Sequence, residues 1–139
     1  MPESPLHAGL VVALIDFATE QFGGLTNVSV KDDSVRPLRG ERPPRINGYV
    51  PDLYATNVPT TATLIGEAKT RGDLETDHTR LQINAFLAYL AQTQNGVFAL
   101  SVPLTAAATA RRLLADAKRA FPGSETRTLV LDGVRVTSC

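Results

Sequence analysis

The sequence predicts an α/β domain in which helices flank a mixed sheet. Three segments carry apolar residues at helical spacing, and short β-branched or apolar runs separate them. Two of those runs, at 97–102 and 128–131, read as continuous apolar strands that need cover on both faces. The charges balance at 14 against 14 and the apolar content is ordinary, which fits a packed core and argues against disorder.

Each element follows from its own pattern. In "LHAGLVVALIDFATEQF", 6–22, Leu10, Leu14 and Phe17 form one stripe with Val11, Ile15, Ala18 and Phe22 beside it, and Gly23-Gly24 stops the helix. "LTNVSVK", 25–31, alternates and predicts a short strand. The proline-rich stretch 32–47 predicts a loop. "GYVPDLYATNVPTTATLIGEAKT" predicts two strands around a turn near Pro59. A helix follows in which Leu81, Ala85 and Ala88, then Phe86, Tyr89 and Leu90, recur at helical intervals. It has acidic residues in its first turn and Asn95-Gly96 at its end. "VFALSV" is the next strand, "TAAATARRLLADAKRAF" a helix from Thr105 to the Pro122-Gly123 stop, and "TRTLVLDG" a last strand. The expected order is α-β-β-β-α-β-α-β.

At 139 residues, one domain over 1–139 is the economical reading. The only cysteine is Cys139, which excludes an internal disulfide or a zinc cluster and fits a reducing compartment. The apolar run "AGLVVALIDFA" is interrupted by Asp16 and has no basic residue before it, so neither a signal peptide nor a membrane span is expected. A soluble cytoplasmic protein with no membrane partner follows.

The candidate chemistry lies in "LIGEAKT", 64–70. Spacing alone decides nothing, because Asp116-Ala117-Lys118 repeats the acid-x-lysine pattern within a predicted helix. The surroundings differ. With a two-residue turn at Pro59-Thr60, Val58 faces Thr61 and Asp52 falls opposite Glu67. Opposed residues share a face with Cβ atoms about 4.5 to 5.5 Å apart, and Lys69 lies on the same side. Two carboxylates and one ammonium then converge, and like charges that close call for a shared cation or proton. Carboxylate oxygens, with the Ala68 carbonyl and water, suit Mg²⁺ or Mn²⁺ rather than zinc. Such a site can polarise a phosphodiester, with Lys69 orienting or helping to deprotonate the attacking water. The alternative is a solvated cross-strand ion pair worth at most about 1 kcal/mol.

These residues resemble the PD-(D/E)XK nuclease superfamily. Pro51-Asp52 matches its "PD" and Glu67-Ala68-Lys69 its "(D/E)XK", with fourteen residues between the acids. The resemblance spans roughly residues 6 to 102 and implies a restriction-endonuclease-like core. Gln82, in "RLQINAFLAYL", is similar to the glutamine that follows the catalytic lysine in RecB-type and lambda-exonuclease-type members, where it approaches the metal or the scissile strand. The family's first-helix carboxylate has Glu20 as its candidate here, and Asp16 second. Members often carry that acid earlier in the helix, where this chain has His7, Gly9 and Leu10.

The resemblance implies a metal-dependent nuclease that hydrolyses DNA phosphodiesters. Asp52, Glu67 and Glu20 would be metal ligands, with Lys69 and Gln82 completing the catalytic set. Nucleic acid has a candidate track in Arg36, Arg39, Arg42 and Arg45, which recur every three residues and would line one edge of a proline-rich extended chain. Arg71 and Arg80 would extend it. The neutral overall charge points to a small groove, to a homodimer that doubles the ridge, or to a larger nucleic-acid-processing complex that delivers DNA. The runner-up is a catalytically inactive nuclease-fold module for nucleic-acid binding or assembly.

Overall fold

The computed structural model describes residues 4–24 and 27–139. Leu25 and Thr26, which open the expected first strand, lie outside the described residues. Among the described residues, three α-helices, α1 (Pro5–Gln21), α2 (Asp77–Leu90) and α3 (Ala107–Lys118), are interspersed with six strands. These are β1 (Val28–Asp32), β2 (Leu53–Asn57), β3 (Thr63–Ala68), β4 (Gly96–Ser101), β5 (Arg127–Leu131) and β6 (Val136–Ser138). The expected order holds, with β6 added as a short return after Gly133.

Local chemistry sets the helix ends. Ser4 Oγ accepts the His7 N–H at 3.1 Å, and Pro5 opens α1 where a missing N–H costs nothing. Gly23 and Gly24, at φ 83° and 110°, turn the chain away after it. Thr76 caps α2 by accepting the Thr79 N–H at 3.1 Å, with Asp77 in the first turn. Thr105 does not start α3. A 3₁₀ turn, Leu104–Ala106, precedes that helix, which begins without a side-chain cap.

The strands form one open sheet in sequence order. β1, β2 and β3 pair antiparallel, β3, β4 and β5 pair parallel, and β6 returns antiparallel on β5. β3 and β4 are buried along their whole length, as strands in the middle of a two-sided core must be. On one face α2 and α3 pack Ile83, Phe86 and Leu114 over Ile65, Phe98 and Val130. On the other, α1 packs Val11, Leu14 and Ala18 over Leu53, Leu64 and Ala99. Gly66 permits that second contact: a Cβ there would lie 3.0 Å from Leu14 Cδ2 and 3.2 Å from Leu53 Cβ. Among the described residues, no helix is long and apolar enough to cross a membrane.

The β2–β3 hairpin keeps the expected register, since Leu53 faces Gly66 and Thr56 faces Thr63. The turn is wider than two residues. Asn57 Oδ1 accepts the N–H groups of both Thr61 and Ala62 at 2.8 Å, so a side chain replaces the last rungs of the ladder without shifting it.

Candidate functional site

Asp52, Glu67 and Lys69 meet at the carboxyl ends of β3 and β4, the edge where open α/β sheets place their ligands. The two acids are locked by reciprocal bonds to the opposite strand. The Asp52 N–H donates to Glu67 Oε1 at 3.0 Å, and the Ala68 N–H donates to Asp52 Oδ2 at 2.8 Å. This interlock continues the hairpin register one step past its last ladder pair. Lys69 is anchored through its backbone, which donates to the Ser101 carbonyl at 3.0 Å. Ser101 in turn bonds the Leu10 carbonyl of α1 through its hydroxyl at 2.8 Å.

The Lys69 ammonium has two partners. Nζ donates to Gln82 Oε1 at 2.6 Å and lies 3.5 Å from Glu67 Oε2. Gln82 is buried in the second turn of α2, so the helix that covers the sheet also holds the lysine. The side chains of Glu67 and Lys69 are only 4% and 12% exposed, while that of Asp52 is 17% exposed. Burial pushes the Glu67 carboxyl well above the usual glutamate range, the Asp52 charge pushes it further, and Lys69 only partly opposes them.

α1 contributes an imidazole at this edge. His7 Nε2 lies 3.4 Å from Asp52 Oδ2. Glu20 does not join the cluster: it is exposed and stands thirteen residues further along α1, about 20 Å away at 1.5 Å per residue. Asp16 is likewise exposed, more than two turns beyond His7. The helix runs away from the site, so an acid near its carboxyl end cannot reach. His7 occupies the earlier helix position at which the resemblance led an acid to be expected. Ser4-Pro5 marks where α1 begins, but the Ser101–Leu10 bond and the packing of Leu14 on the sheet bring that end of the helix to the site.

The arginine ridge is broken. Gly40, at φ 72°, closes a turn by donating its N–H to the Pro37 carbonyl at 3.1 Å, and this interrupts the three-residue repeat. Arg39 donates to the Val28 carbonyl, Arg42 to Asp33 Oδ1 and the Ser34 carbonyl, and Arg45 to the Gly48 carbonyl. All four arginines are exposed, and three of the guanidinium groups tie the loop to itself or to β1. Arg71 is exposed in the turn between β3 and α2, and Arg80 pairs with Asp77 at 3.3 Å.

The donor set suits a hard divalent cation. Two carboxylates from adjacent strand ends face one ammonium, and His7 adds positive charge only when protonated. Mg²⁺ commonly takes one or two carboxylates and fills its remaining positions with water. Among the described residues, no group of three or more His, Cys, Asp and Glu side chains is arranged to hold a metal, so Asp52 and Glu67 would carry most of the protein's share. No protein-family model matches the chain, and no curated protein or solved structure shows significant similarity to it.

Proposed function

We propose that this chain is a Mg²⁺- or Mn²⁺-dependent nuclease of the PD-(D/E)XK type that hydrolyses DNA phosphodiester bonds. The observation that carries this reading is the interlocked Asp52–Glu67 pair, with Lys69 held against Glu67 by Gln82. Two acids against one lysine, with Glu67 buried, is a poor structural ion pair but a good cation site. When bound to Asp52 and Glu67, a divalent cation supplies neutralising charge for the phosphate and a lower pKa for water.

The chain's own groups do the rest. Lys69 Nζ, 2.6 Å from Gln82 Oε1, has a fixed direction from which to orient an attacking water. Gln82 acts through the lysine and is a positioning residue. His7, beside Asp52 Oδ2, orients that carboxylate from the α1 side. Hydrolysis breaks one P–O ester bond, with the water oxygen joining phosphorus and a proton passing to the leaving oxygen.

The test is incubation of the pure protein with plasmid, linear and single-stranded DNA, with Mg²⁺ or Mn²⁺ against EDTA. Metal-dependent cleavage that Asp52→Ala and Lys69→Ala both remove, while the variants stay folded, supports the reading. Inert wild type under every metal and substrate condition rejects it. One observation favours the inactive binding or assembly module instead: α1 presents an imidazole, not a third carboxylate, and Lys69 is already satisfied by Gln82 and Glu67. DNA binding unaccompanied by cleavage would support that second reading.

A further inference from the structure

Immediately before Asp52 the chain builds a feature that the catalytic cluster does not use. Ile46 and Tyr49 exchange two backbone hydrogen bonds, of 2.6 and 3.0 Å, around Asn47-Gly48. Both central residues have positive φ, 49° and 94°, as a two-residue type I′ turn requires. This small hairpin is clamped to α2. Asn47 Nδ2 donates to the Ala85 carbonyl at 3.0 Å, and Ile46 is buried in the core. The Tyr49 ring meets the rings of His78 and Phe86 edge to face, at 5.6 and 6.5 Å.

The outermost ring of this stack is His78, which stays exposed at the start of α2. It lies one helical turn before Gln82, so their Cβ atoms are about 5 to 6 Å apart on the same side of the helix. Gln82 holds the Lys69 ammonium. A rigid aromatic surface thus stands beside the candidate reaction centre, backed by Tyr49 and fixed by a turn that leads straight into Asp52.

We infer that the His78–Tyr49 pair is a stacking step for an unpaired nucleobase next to the scissile phosphate, which makes single-stranded DNA the preferred substrate over intact duplex. The inference rests on the nuclease reading above and specifies its substrate. Aromatic side chains stack on bases that are free of their own duplex neighbours. Binding to a duplex backbone instead draws its affinity from many phosphate contacts. This chain has no net charge, and three of its four clustered loop arginines are engaged by backbone carbonyls. Stacking beside the metal ligands supplies affinity that the electrostatics do not.

The experiment is fluorescence anisotropy of a labelled short oligonucleotide with Ca²⁺ in place of Mg²⁺, run on a single strand, the blunt duplex of the same sequence and an abasic single strand. Wild type should bind the single strand about tenfold more tightly than the duplex, the scale of one stacked base. His78→Ala should lose about tenfold on the single strand, leave the abasic strand unchanged, and be rescued by His78→Phe. Equal or tighter binding of duplex, or an unaltered His78→Ala, overturns the stacking step while leaving metal-dependent cleavage intact. Wild type that neither binds nor cuts any of the three DNAs overturns both readings.

Discussion

The chain contains the acid-x-lysine triplet twice, and the two copies have little else in common. In Asp116-Ala117-Lys118, on α3, Asp116 is exposed and pairs with Arg119 one turn later at 2.9 Å, while Lys118 donates to the Cys139 carbonyl at 2.8 Å. The acid and the lysine serve different neighbours. In Glu67-Ala68-Lys69, at the end of β3, a buried carboxyl and a partly buried ammonium lie 3.5 Å apart, with Asp52 interlocked from the adjacent strand. A strand places alternate residues on one side, whereas a helix turns them about 200° apart. The same spacing is therefore a site in one place and two surface contacts in the other.

The largest effect that separates the copies is on activity. Asp52→Ala or Lys69→Ala should lower metal-dependent DNA cleavage by at least about a hundredfold, the scale of losing one group that stabilises the reacting centre. Asp116→Ala and Lys118→Ala should cut at the wild-type rate in the same gel assay. Cleavage that depended on Lys118 would erase the distinction.

Stability sharpens the contrast. Gly66→Ala, within "LIGEAKT", should cost about 1 to 3 kcal/mol in urea unfolding, because the new methyl meets Leu14 and Leu53 and pushes α1 off the sheet. Glu67→Gln should act in the opposite direction. Glu67 binds its proton more tightly in the folded chain than in the unfolded one, so the folded state holds more protons and stability falls as pH rises above about 4.5 towards the raised folded value. In chelator at neutral pH, Glu67→Gln should therefore be more stable than wild type and show a flatter pH profile. The smallest expected effect is at the helical copy. Asp116→Ala should change stability by no more than about 0.5 kcal/mol, as an exposed pair one turn apart does.

Most of the fold was legible because its signals are local. Apolar periodicity marked all three helices, and the register that follows from a two-residue turn at Pro59-Thr60 holds although the turn itself is wider. Asn57 shows why the turn itself was hidden: its carboxamide bonds two amides that a ladder would otherwise pair, which residue type alone does not announce. β6 escaped notice because three residues carry too little pattern, and its pairing depends on the turn at Asp132, whose carboxylate accepts the N–H groups of Val134 and Arg135.

At the site, sequence spacing brought Asp52, Glu67, Lys69 and Gln82 together, all of them tied to one hairpin and the helix after it. The α1 contribution was not readable in that way. Which end of α1 reaches the sheet edge depends on long-range packing of Leu14 and the Ser101–Leu10 bond, and these put His7, not Glu20, beside Asp52. The regular spacing of the arginines is lost for a related reason. Their three-residue repeat presumes an uninterrupted extended chain, and the turn at Gly40 with its carbonyl-bound guanidinium groups replaces it.

Mn²⁺ binding followed by electron paramagnetic resonance tests the central claim most directly, since it reads the cation itself and needs no substrate. Wild type and Asp116→Asn should each remove one equivalent of free Mn²⁺ from solution, and Asp52→Asn and Glu67→Gln should not. Undiminished binding in the Asp52 and Glu67 variants, or no binding by wild type, would contradict the assignment of these two carboxylates as a metal site.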